Sequence, residues 1–372
     1  MYTFAQPLNR ALRTASESPA VVCQDNRRTY AELGSRCLRL AGAMHKLGLA
    51  PHDRVGVIGL NSDRYLELYL ALPAAGYVLV PVNSRLAPAE MRAILDDAGV
   101  SVLFADADYP GAAGVSQVLT MPDDYEDLIA AADETPLGDG VDEDDLAALF
   151  YTSGTTGVPK GAMHTHRGLV SSALHFMATW PFDRHTRWLV ASPMFHTGGI
   201  LATLATVWAG GTHVIMPRFD PDLAVDLIER EAVTHTLLVP AMLAAAAGAQ
   251  LARPRNVSSL RYLSHGPRPF PPRRSGGPAR PSLAPNCCTS TARRKPLRSP
   301  RCCRTRSAFS TPRSSGHAAS PPWASRYGSS TAPWTICRRA RSARSPCAAP
   351  ASWPVTGASR TRRPRSCAAT GT

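Results

Sequence analysis

Short apolar strands that alternate with amphipathic helices predict an α/β fold with largely parallel sheets flanked by helices. Three features carry that expectation. Thr29-Tyr30-Ala31-Glu32 is a capping box, and Leu33, Cys37, Leu40, Ala41, Met44 and Leu47 follow it at helical spacing until Gly48. Val55 to Ile58 and Tyr77 to Pro81 are apolar runs without alternation, the pattern of strands buried on both faces. A loop of hydroxyls, glycines and one lysine, Tyr151 to Gly161, then follows directly on an apolar strand at Ala147 to Phe150.

The other elements follow in order. Ser62 to Leu72 and Pro88 to Ala98 read as helices, and Val102 to Ala105 as a strand between them and the loop. A helix is expected from about Thr165, and another over Ile200 to Ala209. Asp220 to Glu231 forms a third, with Asp220 as cap and Pro221 at the first helical position. Trp188 to Ala191, Thr212 to Met216 and Thr236 to Val239 read as strands. Leu66 to Val82 is apolar apart from Glu67, but Pro73 and Gly76 divide it into a buried helix end and a buried strand, too short for a membrane span.

The formal charge of +13 over 372 residues conceals two unlike parts. All 28 acidic residues lie in Met1 to Gly266, against 20 of the 41 Lys and Arg; Pro267 to Thr372 holds the other 21 and no acid. That last part also carries seven of the nine cysteines, and Arg, Ser, Pro and Ala dominate it without apolar periodicity. Such a stretch cannot bury enough surface to offset the entropy of ordering, so it is expected to be disordered. Residues 1–266 have an ordinary globular composition with only Cys23 and Cys37, too few for a disulfide framework, and Met1 to Ala20 holds no long apolar run after a basic start, so no signal peptide is expected in it. A reducing cytoplasm is the expected location.

The loop has the chemistry of a polyphosphate site. Glycines admit backbone N–H groups to an anion, hydroxyls donate to its oxygens, and a lysine neutralises charge. Its spacing is not that of a Walker loop. Tyr151-Thr152-Ser153-Gly154-Thr155-Thr156-Gly157-Val158-Pro159-Lys160-Gly161 resembles, nearly letter for letter, the phosphate signature of the adenylate-forming (AMP-binding) superfamily, acyl-CoA synthetase type. Asn61 to Asn83 and Arg85-Leu86 to Leu95-Asp96 are similar to the early helix-strand-helix elements of the same enzymes. The resemblance covers residues 1–266 and implies part of the large N-terminal domain of that fold, with the C-terminal domain and its catalytic lysine absent.

By that resemblance, a carboxylic acid, fatty or aryl, attacks the α-phosphate of ATP to give an acyl-adenylate and pyrophosphate, and coenzyme A then takes the acyl group. Thr152, Ser153, Gly154, Thr155, Thr156 and Gly157 are implied to cradle the phosphates, with Lys160 adding positive charge. Pro193-Met194-Phe195-His196-Thr197-Gly198-Gly199 resembles the segment whose histidine lines the acid pocket, which makes His196 the candidate catalytic residue. Ser264-His265-Gly266 resembles the start of the adenine loop, and Gly266 is the last residue carried over. Mg²⁺ is implied with ATP, but the Thr-Glu pair that holds it is missing and no metal ligand is assigned. His164, His166 and His175 read as structural; Trp180, Trp208 and Met194 read as core or pocket lining, with core favoured.

The basic stretch 267–372 reads as out of frame. Asn286 to Arg298, NCCTSTARRKPLR, is compatible two bases further in with LLHLYGATETAP, which contains the family's aromatic-Gly-x-Thr-Glu signature. The same shift turns Trp323 to Thr331 into GIEVRIID and Arg339 to Gly357 into GEVGEIAVRGPGVMAGYW. A frameshift near Gly266 to Phe270 is therefore expected, leaving a truncated, inactive ligase with no specific nucleic-acid partner. Two alternatives stay open: a non-catalytic protein whose basic tail binds nucleic acid, and an adenylation domain that loads a carrier protein.

Overall fold

A computed structural model of the chain describes residues 2–106, 114–152, 159–265 and 286–289. They fall in one compact unit, Met1–Ser329; a second unit, Ser330–Thr372, lies outside the described residues. The chain begins with α1 (Ala5–Ala15), β1 (Pro19–Cys23), β2 (Asn26–Thr29), α2 (Tyr30–Lys46), β3 (Arg54–Ile58), α3 (Asp63–Ala74) and β4 (Val78–Pro81). It continues with α4 (Pro88–Ala98), β5 (Val100–Asp106), β6 (Gln117–Met121), α5 (Asp123–Ala131), β7 (Leu146–Thr152), β8 (Lys160–Thr165) and α6 (His166–Thr179). β9 (Arg187–Val190), α7 (Thr197–Ala209), β10 (Thr212–Ile215), α8 (Pro221–Arg230), β11 (His235–Leu238), α9 (Pro240–Ala252), β12 (Tyr262–His265) and β13 (Asn286–Thr289) follow.

Among the described residues the strands form two sheets, one ordered β13-β12-β11-β9-β10-β1-β2 and the other β6-β5-β3-β4-β7-β8. Every pairing is parallel except β1 with β2 and β7 with β8. The expected α/β fold with largely parallel sheets is the observed one. Helix α3 explains why its sequence is apolar all round: from Tyr65 to Ala74 every residue is buried, and α2 packs against it. Gly76, at φ +85°, turns the chain from this helix into β4, as a residue without Cβ can. Among the described residues no helix is long and apolar enough to cross a membrane.

The one carboxylate in the middle of α3 is fully buried. Glu67 accepts from Arg36 Nε and from the Tyr125 hydroxyl, both at 2.7 Å. Burial pushes its pKa up even against the Arg36 charge. Arg36 also reaches Glu126, so α2, α3 and α5 are joined through one guanidinium.

Local signals place the helix starts. The Thr29–Glu32 capping box forms as the sequence predicts, Ser62 caps α3 through Tyr65 N, Thr165 caps α6 through Gly168 N, and Asp220 caps α8 through Leu223 N. The segment 267–372 differs from expectation at one place. Asn286–Thr289 pair in parallel with Tyr262–His265 and extend the first sheet, because main-chain pairing at an edge requires no apolar periodicity. The rest of 267–372 lies outside the described residues.

The two sheets meet through Asn61, three residues past β3. Its Nδ2 donates to Ser192 O at 3.0 Å and Met216 O at 3.1 Å, and its Oδ1 accepts from Met194 N at 2.8 Å. Its own backbone N–H donates to Pro217 O at 3.3 Å. One buried amide thus ties the exit of β3, in the second sheet, to the exits of β9 and β10 in the first.

Replacing Asn61 by Ala strands two carbonyls and one N–H in a buried setting, and the expected loss is about 2–3 kcal/mol in urea unfolding. A second expectation concerns acid. His166, His213 and His235 are buried, and burial lowers each from 6.5 to about 4. The unfolded chain takes up these protons near pH 6.5 and the folded chain only near pH 4. Stability is therefore complete above pH 6.5 and lost as pH falls from 6.5 towards 4, by roughly 1–3 kcal/mol per histidine. Urea midpoints measured across that window check the slope, and His213→Gln should remove its share.

Candidate active site

In open α/β sheets, ligands bind outside the carboxyl ends of the strands. Here the exits of β3, β4, β9 and β10 converge on a cleft of about 320 Å³ lined by Asn61, Ser84, Arg85, Phe195, Arg218 and Phe219 among others. Asn61 fixes the relative position of three of those four exits through the contacts given above. Asp106, at the end of β5, supports the same lip by accepting from Leu60 N at 2.8 Å.

His196 stands beside this cleft, where the chain leaving β9 enters α7. It occupies the N-cap position without making a side-chain capping bond, so its ring is not spent on the helix. The ring lies 4.6 Å from that of Phe195, centroid to centroid. Burial, and behind it the positive charge of Arg85, hold its pKa below 6.5. A neutral imidazole presents one N–H donor and one acceptor at neutral pH.

Arg85 and Arg218 are exposed and, among the described residues, neither guanidinium has a carboxylate partner. A contrasting hollow of about 520 Å³ lies beside Asn26, Arg27, Arg28 and Arg36. Its arginines are already engaged: Arg27 with Glu231 at 2.8 Å, Arg28 with Asp63, and Arg36 with Glu67 and Glu126. Paired guanidinium groups offer an anion little, so the cleft with unpaired arginines is the better receptor for negative charge.

The predicted phosphate residues divide between described and undescribed positions. Thr152 ends β7 and Lys160 begins β8, and the antiparallel register sets them opposite each other. Both are exposed, and no ion pair among the described residues engages the Lys160 ammonium. Ser153, Gly154, Thr155, Thr156, Gly157 and Gly266 lie outside the described residues. His166 is buried and its Nδ1 accepts from Phe4 N at 3.3 Å, while His164 packs edge-on against Phe150; both are placed as structural groups. Trp180 and Met194 are core residues, at 4% and 1% exposure, and Trp208 packs against the same core. Among the described residues no group of three or more His, Cys, Asp or Glu could hold a metal ion.

Sequence reasoning gave no role to Asn61, Arg85 or Arg218. The available signal was their position three or four residues past the end of an apolar strand, where a parallel sheet presents its ligand edge.

Comparison with known proteins follows the same lines. Residues 8–276 match the family described as AMP-binding enzyme. A feruloyl-CoA synthase of Amycolatopsis is 38% identical over 269 residues, 71% of this chain and 54% of that protein. The fatty acid–[acyl-carrier-protein] ligase ScoC of Streptomyces coeruleorubidus is 35% identical over 240 residues, 61% of this chain and 46% of that one. Among solved structures, the N-terminal domain of FACL13 from Mycobacterium tuberculosis superposes with a TM-score of 0.67 at 28% identity, over 73% of this chain and 71% of that domain. The chain spans about half the length of the curated relatives it matches. With the signature at Tyr151 to Gly161, the two-sheet fold and a match over residues 8–276, the chain belongs to the AMP-binding enzyme family.

Proposed function

We propose that this chain carries the ATP-gripping and acid-binding half of an ATP-dependent acid–thiol ligase. In the full reaction a carboxylate oxygen attacks the α-phosphorus of ATP, and the bond to the pyrophosphate oxygen breaks. A thiolate then attacks the acyl carbon of the mixed anhydride, and AMP leaves. The observation that carries the reading is the rung of Thr152 and Lys160. A hydroxyl and an ammonium, the latter with no acidic partner among the described residues, stand side by side at a strand end, inside the family's phosphate signature. Such a pair supplies donors and positive charge where phosphoryl oxygens gain negative charge.

The other groups take roles of the same kind. His196, neutral at pH 7, donates one hydrogen bond to the incoming carboxylate and orients it. Arg85 and Arg218 attract the phosphates of the thiol co-substrate to the cleft. Coenzyme A and the phosphopantetheine arm of a carrier protein both present such charge. The relatives named for feruloyl-CoA and for an acyl-carrier-protein product favour a fatty or aryl acid but leave both acceptors in play. Mg²⁺ travels with ATP in this reading, and no step is assigned to it.

The basic stretch 267–372 is read as the product of a lost base near Gly266 to Phe270, with the chain inactive as written. Three family-like strings in one alternative frame support this, as does the absence of any acid after Gly266.

Two outcomes test these proposals. Calorimetry on the purified chain should detect ATP or inorganic tripolyphosphate binding that Lys160→Ala weakens at least about tenfold, the loss of one charge-assisted contact. Equal affinity in both proteins would remove Lys160 from the site. Resequencing the DNA between the codons of Ser264 and Phe270 should reveal one missing base. The restored protein should then catalyse acid-dependent ATP–pyrophosphate exchange that the chain as written does not. Acid-dependent AMP release by the unrestored chain would contradict its inactivity.

A further inference from the structure

The rung of Thr152 and Lys160 stands at an exposed and weakly supported place. Among the described residues β8 is the outermost strand of its sheet, so only β7 pairs with it. β7 in turn pairs with β4 at Ala148 alone, opposite Leu79. From Phe150 onward the pair extends as a two-stranded ribbon, and an isolated ribbon of this kind is marginally stable.

Phe150 is buried in the core at its base, and Tyr151 anchors the part beyond. The hydroxyl of Tyr151 donates to Asp97 Oδ2 at 2.5 Å, near the end of α4. The ring packs on the buried cluster that includes Met91, Ile94 and Leu95 of α4. Across the ladder Tyr151 pairs with Gly161. A Cβ at Gly161 would stand 3.0 Å from Tyr151 Cζ and 3.2 Å from its Oη, closer than nearly all real contacts. Gly161 does not adopt a positive φ, so the glycine is there for the ring and not for a turn. An aromatic side chain laid over a cross-strand glycine is a known way to pin strand register. Burial, then the bond to Asp97, raises the pKa of the phenol, so it remains a donor throughout the working pH range.

We infer that Tyr151 is a positioning residue of the phosphate site: held by Asp97 and seated on Gly161, it fixes where the next rung, Thr152 and Lys160, meets the polyphosphate. The inference rests on the reading of that rung given above and adds a determinant that touches no ligand.

Calorimetric titration of the full chain with inorganic tripolyphosphate, together with hydrogen exchange at the Thr152 and Lys160 amides, tests it. Tyr151→Phe and Asp97→Ala should each weaken tripolyphosphate about five- to tenfold and speed exchange at both amides, with little change in global melting. Asp97→Asn keeps a carbonyl to accept the phenol and should stay within about twofold of the parent. The double variant Tyr151→Phe/Asp97→Ala should be no weaker than either single one, since both remove the same link. Parent-like affinity and exchange in Tyr151→Phe and Asp97→Ala, with the parent binding normally, would overturn the positioning role alone. A parent chain that fails to bind tripolyphosphate would overturn the phosphate reading of Thr152 and Lys160, and the positioning role with it.

Discussion

A carboxamide has two donors and one acceptor with two lone pairs, and at Asn61 that inventory meets a three-way junction. Just past two strands of one sheet stand the carbonyls of Ser192 and Met216, and the chain turning towards the histidine segment adds the N–H of Met194. A buried apolar residue would leave all three groups unpaired; a carboxylate could serve only the N–H. The amide satisfies them together, and in doing so makes the ends of two separate sheets share one edge. The cleft, the His196 segment and the turn bearing Arg218 all hang from this junction. The geometry of the site is thus set by a residue with no chemistry of its own.

Charge in this fold follows a division between structural and available groups. Arg28, Arg36, Arg187 and Arg255 each meet carboxylates on neighbouring elements, and several of those carboxylates are buried. Their value lies in joining elements, and removing one partner would strand the other. Arg85, Arg218 and Lys160 have no such engagement among the described residues and all three stand at strand ends. Composition cannot separate the two groups, since an arginine count weighs them equally. Partnering separates them at once.

The parts of the fold that the sequence discloses are those governed by local rules. The Thr29 capping box, the Asp220 cap with Pro221, and the bounds of α4, set by Pro88 at its start and the left-handed Gly99 after Ala98, come from contacts and backbone preferences within a few residues. The buried strands β3 and β4 come from unbroken apolar runs. Elements stabilised by distant partners are silent. β8 is polar and half exposed and exists because β7 pairs with it; α9 is an alanine-rich helix without a polar-apolar rhythm; β13 is held by β12. The site divides likewise. Two contiguous segments announce the candidates Thr152 and Lys160, and His196. Asn61, Arg85 and Arg218 become neighbours only after β3, β4 and β10 line up, and spacing along the chain holds no trace of that.

Gly161 closes the phosphate signature, and its position invites the view that it admits the nucleotide. The clearance beneath Tyr151 gives it another occupation: the missing methyl is a seat for an aromatic ring on the neighbouring strand. A replacement at this position would tilt the ribbon from below and leave the side chains of Thr152 and Lys160 chemically intact. A loss of anion affinity there would report on carpentry under the rung, and a binding contact inferred from it would be a contact that was never made.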